Sequence, residues 1–269
     1  MSGLLRRIGG DHPYLTAFAL FEFVFLVLPS VIILIASFGS DQIISFPPTD
    51  LSLKWYASLL EEQDYIQPFL HSVIAATFCT AISIPIGVMT ALGLNRYDIR
   101  FEHGIQIYLL LPFTVPLVVS GFILLLLFGR LGWIGDLWAV GLALTIINIP
   151  FMIWSVASSV NAFDPTLEHA AQSLGAEEIQ TFRYVTLPAL MPGIISGSLL
   201  MFILALNEFV VSLIITTTAT ETLPVAIYGA IRGNISPQIA AVASIYVVIA
   251  IVAIVVADRL VGLERFLHS

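Results

Sequence analysis

Charge is what this 269-residue chain has least of: only 10% of its residues are Asp, Glu, Lys or Arg, and 58% are hydrophobic. Water-soluble domains carry roughly a quarter charged residues, so the composition excludes one and requires a membrane protein. There is one cysteine, Cys79, inside an apolar run, which rules out an internal disulfide and leaves a thiol packed among helices or lipid. There is one lysine, Lys54, and it follows Leu53 rather than glycine. A phosphate-binding P-loop needs a Gly-Lys pair, so any ATP hydrolysis must occur on another polypeptide. The histidines His12, His71, His103, His169 and His268 are scattered, with no His-Glu-x-x-His zinc pattern, and no Gly-x-Ser-x-Gly elbow is present. Neither a metal, a catalytic group nor a cofactor is expected within the chain. The formal charge of -8 gives no purchase for a nucleic acid.

What fills the sequence instead is apolar length. Crossing about 30 Å of hydrocarbon takes roughly 20 helical residues. Six segments qualify: 14–38, 69–94, 105–128, 137–160, 193–216 and 238–257. The predicted fold is all-α, a polytopic membrane protein with six transmembrane helices forming a single membrane domain over residues 1–269. Arg6 and Arg7 precede the first run as they would in a signal sequence, but that run is too long for a signal core and reads as an uncleaved span. With the N-terminus inside, Arg6, Arg7, Arg96, Arg100, Arg183, Arg259 and Arg265 fall on the cytoplasmic side, against Lys54, Arg130 and Arg232 outside. That bias obeys the positive-inside rule and places both termini and the loop 161–192 in the cytoplasm. The outer loop Gly39 to Pro68 is acidic and holds LSLKWYASLL, which reads as a short amphipathic helix at the lipid interface. Its carboxylates suit a solvated face, an external partner or a cation.

Proline and glycine recur within the spans, at Pro85, Gly87, Pro112, Pro116, Gly121, Pro150, Gly193 and Gly197. Such helices kink and suit a protein that moves. Gly193 and Gly197 also form a small-xxx-small pattern for close helix contact. Glu22 and Glu208 are the formal charges inside spans. Glu22 lies near a helix end, where packing or snorkelling accommodates it. Glu208, beside Asn207, lies deeper, so it reads either as a group facing a pathway for a cationic solute or as a structural carboxylate bonded between helices.

The most informative stretch is LEHAAQSLGAEEIQTFRYVTLP, from Leu167 to Pro188. It reads as two short helices hinged at Gly175. Asp164 and Pro165 form an N-cap and first-turn pair, and Leu167, Ala170, Ala171 and Leu174 recur at helical spacing to give one dry face that needs a partner.

From His169 to Pro188, HAAQSLG followed by nine residues and VTLP resembles the EAA motif of binding-protein-dependent ABC importer permeases. His169 stands where that family usually has Glu, and Val185 where it has Ile; Glu168 next door supplies a carboxylate. LKWYASLL, LNEFVVSLIIT around Glu208 and TLPVAIYGAIRGNISPQIAA are similar to the spermidine/putrescine-type subfamily, whose fifth span often carries an acidic pair where this chain has Asn207 and Glu208.

The resemblance implies a type I importer fold in the bacterial inner membrane. Two permeases would pair, the second a different homologous chain, and each would dock its hairpin into an ATP-binding subunit dimer that holds ATP and Mg. A periplasmic or lipid-anchored binding protein would deliver the solute. Glu168, His169, Ala170, Ala171, Leu174 and Gly175 would couple to the ATPase, while Asn207 and Glu208 would line the translocation pathway. The implied solute is a small cationic organic molecule such as spermidine or putrescine. The alternatives are an amino-acid derivative, an opine or an organophosphonate, and, from another class, a membrane scaffold or intramembrane enzyme.

Overall fold

The computed structural model describes residues 13–44, 46–61, 64–97, 99–100, 102–233 and 237–261. Arg6, Arg7 and Arg265, used above for topology, and Glu62 of the acidic outer loop lie outside them. Among the described residues twelve α-helices follow in chain order. They are α1 (Pro13–Ala36), α2 (Lys54–Glu61), α3 (Ile66–Arg96), α4 (Glu102–Thr114), α5 (Leu117–Leu131), α6 (Leu137–Ala162), α7 (Thr166–Ser173), α8 (Glu178–Thr181), α9 (Leu187–Asn207), α10 (Val210–Ile215), α11 (Leu223–Gly233) and α12 (Pro237–Val261), with a π-helical segment Phe182–Thr186 joining α8 to α9. No strand occurs among the described residues; one isolated bridge pairs Gly39 with Leu51.

Four of these helical stretches are long and apolar enough to cross a membrane: Tyr14–Ala36, Ile66–Arg96, Leu137–Ala162 and Glu178–Asn207. Leu117–Leu131 is a shorter apolar helix, and α12 is apolar over Pro237–Ile249. The expected all-α membrane architecture is therefore present, with two spans interrupted.

The predicted third span, 105–128, divides between α4 and α5 at Val115 and Pro116. Pro116 has φ -55° and ψ 134°, an extended conformation that ends one helix and starts the next. Proline also disfavours the α conformation in the residue before it, so Val115 cannot simply continue α4. The predicted fifth span, 193–216, breaks at Glu208, whose φ of -69° and ψ of 123° take it out of the helix. At its other end this span begins earlier than expected, because α8, the π segment and α9 run on from Glu178 to Asn207. The second arm of the hairpin is thus the extension of a span and not a separate short helix. Pro188 does not stop it: it follows closely on the π segment Phe182–Thr186, and a local departure of this kind from α geometry lets a membrane helix tolerate proline.

By internal packing the chain divides into two units, Met1–Asp64 with Gly229–Ile254, and Tyr65–Tyr228 with Val255–Ser269. In the first, α1 exposes its apolar side chains along its length, a surface suited to hydrocarbon. Beyond its end, Ser37 Oγ and Tyr56 Oη are 2.6 Å apart, and the Phe38 and Tyr56 rings pack at 5.4 Å. These contacts hold the amphipathic α2 against the end of α1, and Gln238 at the start of α12 donates to Ser58 of α2 at 3.3 Å. The interfacial helix read from LSLKWYASLL is α2.

The second unit is built on α3, α6 and α9. Hydrocarbon offers no hydrophobic drive for helices to associate, so close packing of small residues must supply it. Ala75, Ala76, Cys79 and Ala91 of α3, Ala143 and Val156 of α6, and Leu190 and Met201 of α9 are buried. Gly141 of α6 meets Phe78 of α3, where an added Cβ would lie 2.7 Å from the ring. The half-spans α5 and α10 pack on each other through Gly121, where a Cβ would come within 2.7 Å of Ile214.

Candidate functional site

Two places gather the residues singled out in the sequence: the hairpin around α7, and the break after α9.

At the hairpin, Asp164 Oδ1 accepts the Thr166 N–H at 2.9 Å, capping the first turn of α7. These bonds hold the Asp164 carboxyl below the usual aspartate range. At the other end Gly175 has φ +91°. Its N–H donates to Gln172 O at 2.9 Å and the Ala176 N–H to Ala171 O at 3.1 Å. This pair of bonds closes a helix when the residue after it is left-handed, and glycine is the residue that adopts that conformation without strain. The eight-residue helix between these two ends buries none of its residues. His169 and Ala170 are exposed and Ala171 is half-buried, while Leu167 is 52% and Leu174 90% exposed. The dry face read from the sequence thus stands uncovered among the described residues.

Glu168 differs from its neighbours. Its Oε1 receives Arg96 Nη2 at 2.7 Å, and Thr186 Oγ1 donates to the same oxygen. Burial would raise its pKa, but the hydrogen bonds from Thr186 and Arg96, with the Arg96 charge and nearby His169, outweigh it and hold the carboxyl below the usual glutamate range. Arg96 ends α3, where a cation also complements the helix dipole, and its guanidinium lies 5.9 Å from the Phe163 ring centre. The carboxylate at position 168 is therefore spent within the chain, and of the adjacent pair it is His169 that faces outward. Sequence reasoning missed Arg96 and Thr186 as partners, since they are 72 and 18 positions away from Glu168 and no spacing rule joins them.

At the break, Asn207 Nδ2 donates to Ile203 O at 2.8 Å. Glu208 accepts the Val211 N–H through Oε1 at 2.8 Å. Its Oε2 accepts the Ser212 N–H at 2.8 Å and the Ser212 hydroxyl at 3.0 Å. Glu208 thus caps α10, satisfying backbone donors that hydrocarbon cannot. An ionised carboxylate offers about four acceptor positions, so these three bonds leave capacity for another donor. The rings of Phe209 and Tyr228 pack beside it at 4.9 Å. The sequence signal for the cap, a glutamate with serine four residues on, was hidden by the surrounding apolar run. No group of three His, Cys, Asp or Glu residues that could hold a metal ion occurs among the described residues.

Comparison with known proteins places this geometry. Residues 83–263 match the family described as "Binding-protein-dependent transport system inner membrane component". The chain is 30% identical over 245 residues to the spermidine/putrescine transport system permease protein PotC of Haemophilus influenzae, covering 91% of this chain and 95% of that one. It is 31% identical to the putrescine transport system permease protein PotI of Escherichia coli K12, covering 87% and 85%. In fold it matches a chain of a bacterial ABC transporter involved in the import of the acidic polysaccharide alginate, with a TM-score of 0.73 at 16% identity over 96% of this chain and 98% of that one. A membrane-embedded core of α3, α6 and α9 carrying an exposed, doubly capped helix at Thr166–Ser173 is thus the form this family takes here: the chain belongs to the binding-protein-dependent transport system inner membrane components, the multi-pass permeases of ABC importers.

Proposed function

We infer that this chain is one of two permease subunits of an ATP-driven importer and that it forms half of the pathway for a small cationic organic solute of the polyamine class. The observation that carries the inference is α7: an eight-residue helix with no buried residue, fixed at both ends and presenting Leu167, Ala170 and Leu174 to solvent. An apolar face kept rigid in water is a docking surface, and a chain without a P-loop has to be driven from outside. The partner at α7 is an ATP-binding subunit dimer in the cytoplasm, contacted by His169, Ala170, Leu174 and the turn at Gly175. The orientation follows the basic residues, with both termini inside. The second permease is a different homologous chain, and a periplasmic or lipid-anchored binding protein delivers solute from outside. Closure of the ATPases on ATP draws the hairpins together and opens the spans outward, an alternation between two states that ATP biases.

The solute class rests on the likeness to permeases named for spermidine and putrescine, and Glu208 is the group along the pathway that attracts a cation. Asn207 supports a second reading. With one carboxylate where the polyamine subfamily often has two, the solute is a less strongly cationic metabolite, such as an amino-acid derivative.

Affinity purification of the tagged chain from its own membrane tests the assembly, and reconstitution in vesicles tests the solute. The expected outcome is co-purification of an ATPase and a second permease, with ATP-dependent uptake of radiolabelled spermidine or putrescine. Recovery of the chain without any ATPase refutes the importer reading; ATP-dependent uptake of an amino-acid derivative but not of polyamines selects the second solute class.

A further inference from the structure

We propose that Glu168 is the positioning residue through which movement of the docking hairpin enters the membrane: its carboxylate fastens α7 to the cytoplasmic ends of α3 and α9, so both helices follow the hairpin. The proposal rests on the reading of α7 as the docking surface for a separate ATPase.

A helix that buries nothing and hangs between two turns would swing when pulled and deliver little of that displacement to the bundle. Glu168 removes the freedom. Its Oε1 takes Arg96 Nη2 at 2.7 Å, and Arg96 closes the last turn of the 31-residue α3. The same oxygen accepts the hydroxyl of Thr186, which is 1% exposed and ends the π segment that runs into α9. Arg96 in turn lies over Phe163, the residue that ends α6. One carboxylate therefore ties α7 to the three helices that form the core of this unit. Among the described residues, no other α7 side chain makes a hydrogen bond or ion pair to another element. Charge-assisted bonds of this kind hold direction as well as distance, and the Glu168 side chain is only 16% exposed, which limits screening by water. The adjacent residues divide the labour: His169, exposed, faces the partner, while Glu168 faces inward.

The test uses the complete transporter in vesicles. It reads solute transported per ATP hydrolysed, alongside the amount of ATPase retained in the purified complex. In Glu168→Ala and Arg96→Ala the ATPase content stays at the wild-type level while solute per ATP falls about tenfold, the scale on which mutations along a coupling network act. The double variant is no worse than either single one, and the exchanged pair Arg96→Glu with Glu168→Arg recovers part of the ratio. A clasp that merely stabilises the fold would lower yield but leave solute per ATP unchanged in the complexes that survive. An unchanged ratio in Glu168→Ala overturns the proposal. So does loss of the ATPase from a folded Glu168→Ala chain, which would make Glu168 an outward docking contact. Should Glu168→Ala fail to fold, Thr186→Val, which keeps both charges and the side-chain volume, carries the same measurement: a lowered ratio supports the link and a wild-type ratio overturns it. A wild-type complex that contains no ATPase refutes the functional reading itself, a distinct result.

Discussion

Ser155 of α6 donates its hydroxyl to the carbonyl of Gly193 in α9 at 2.9 Å, across a contact so close that a Cβ on Gly193 would lie 2.6 Å from the Ser155 carbonyl oxygen and 2.5 Å from Ser159 Oγ. Gly193→Leu forces these two backbones apart. Overpacking of this kind costs about 1–3 kcal/mol, and the loss is measured by unfolding the purified chain in mixed micelles. Gly129→Ala, where an added Cβ meets nothing within 4 Å, serves as the control and leaves stability unchanged.

Gly175 is needed for its backbone and not for space, since a Cβ there also meets nothing within 4 Å while φ is +91°. Gly175→Val strains the turn by about 1–2 kcal/mol and misdirects the chain leaving α7. Solute-stimulated ATP hydrolysis in the assembled transporter should fall sharply. Gly175→Asn, the side chain best tolerated in a left-handed turn, should retain it. Equal activity in both variants would show that the turn geometry is immaterial to coupling.

At Glu208 the pathway and capping roles separate experimentally. Glu208→Gln keeps one acceptor for Val211 but leaves the buried Ser212 N–H unsatisfied, a cost of about 1–3 kcal/mol. Thermal unfolding measures that cost and polyamine uptake measures the charge. If uptake drops well beyond what the stability loss accounts for, the carboxylate meets the solute. Wild-type uptake with lowered stability would make Glu208 a cap alone.

The Arg96–Glu168 pair gives a pH dependence with a definite sign. The folded state holds Glu168 below the usual glutamate range, so its contribution to stability is complete above the unfolded pKa of about 4.3 and disappears as pH falls through the lower, folded value. Unfolding temperatures of the purified chain between neutral and acid pH should therefore fall more steeply in wild type than in Glu168→Gln. Parallel curves would mean that the pair contributes nothing at this site.

Span existence was legible in the sequence because hydropathy sums over some 20 residues, and the long runs at 69–94 and 137–160 emerged within the helices Ile66–Arg96 and Leu137–Ala162. The interruptions were not. Apolar residues continue on both sides of Pro116 and Glu208, so a hydropathy sum cannot register that the backbone has left the helix between them. The hairpin's ends were legible because Asp164, Pro165 and Gly175 act locally. What Glu168 does was not, because Arg96 reaches it only after two intervening helical spans have folded the chain back. Charge counting marked Glu208 as costly in the membrane without revealing that α10 supplies its partners three and four residues away.

The π segment Phe182–Thr186 bonds Leu187 N–H to Phe182 O, five residues back, and so holds one residue more than an α-helix of the same rise would. Excising a single residue there would let the ladder revert to ordinary helix and turn everything before it by about 100° relative to α9. Thr186 and Glu168 would then point to different quarters of the bundle. The nine-residue interval between Gly175 and Val185 is in this sense a phase angle: the number of residues, more than their identity, fixes the compass bearing at which the transporter offers its hairpin.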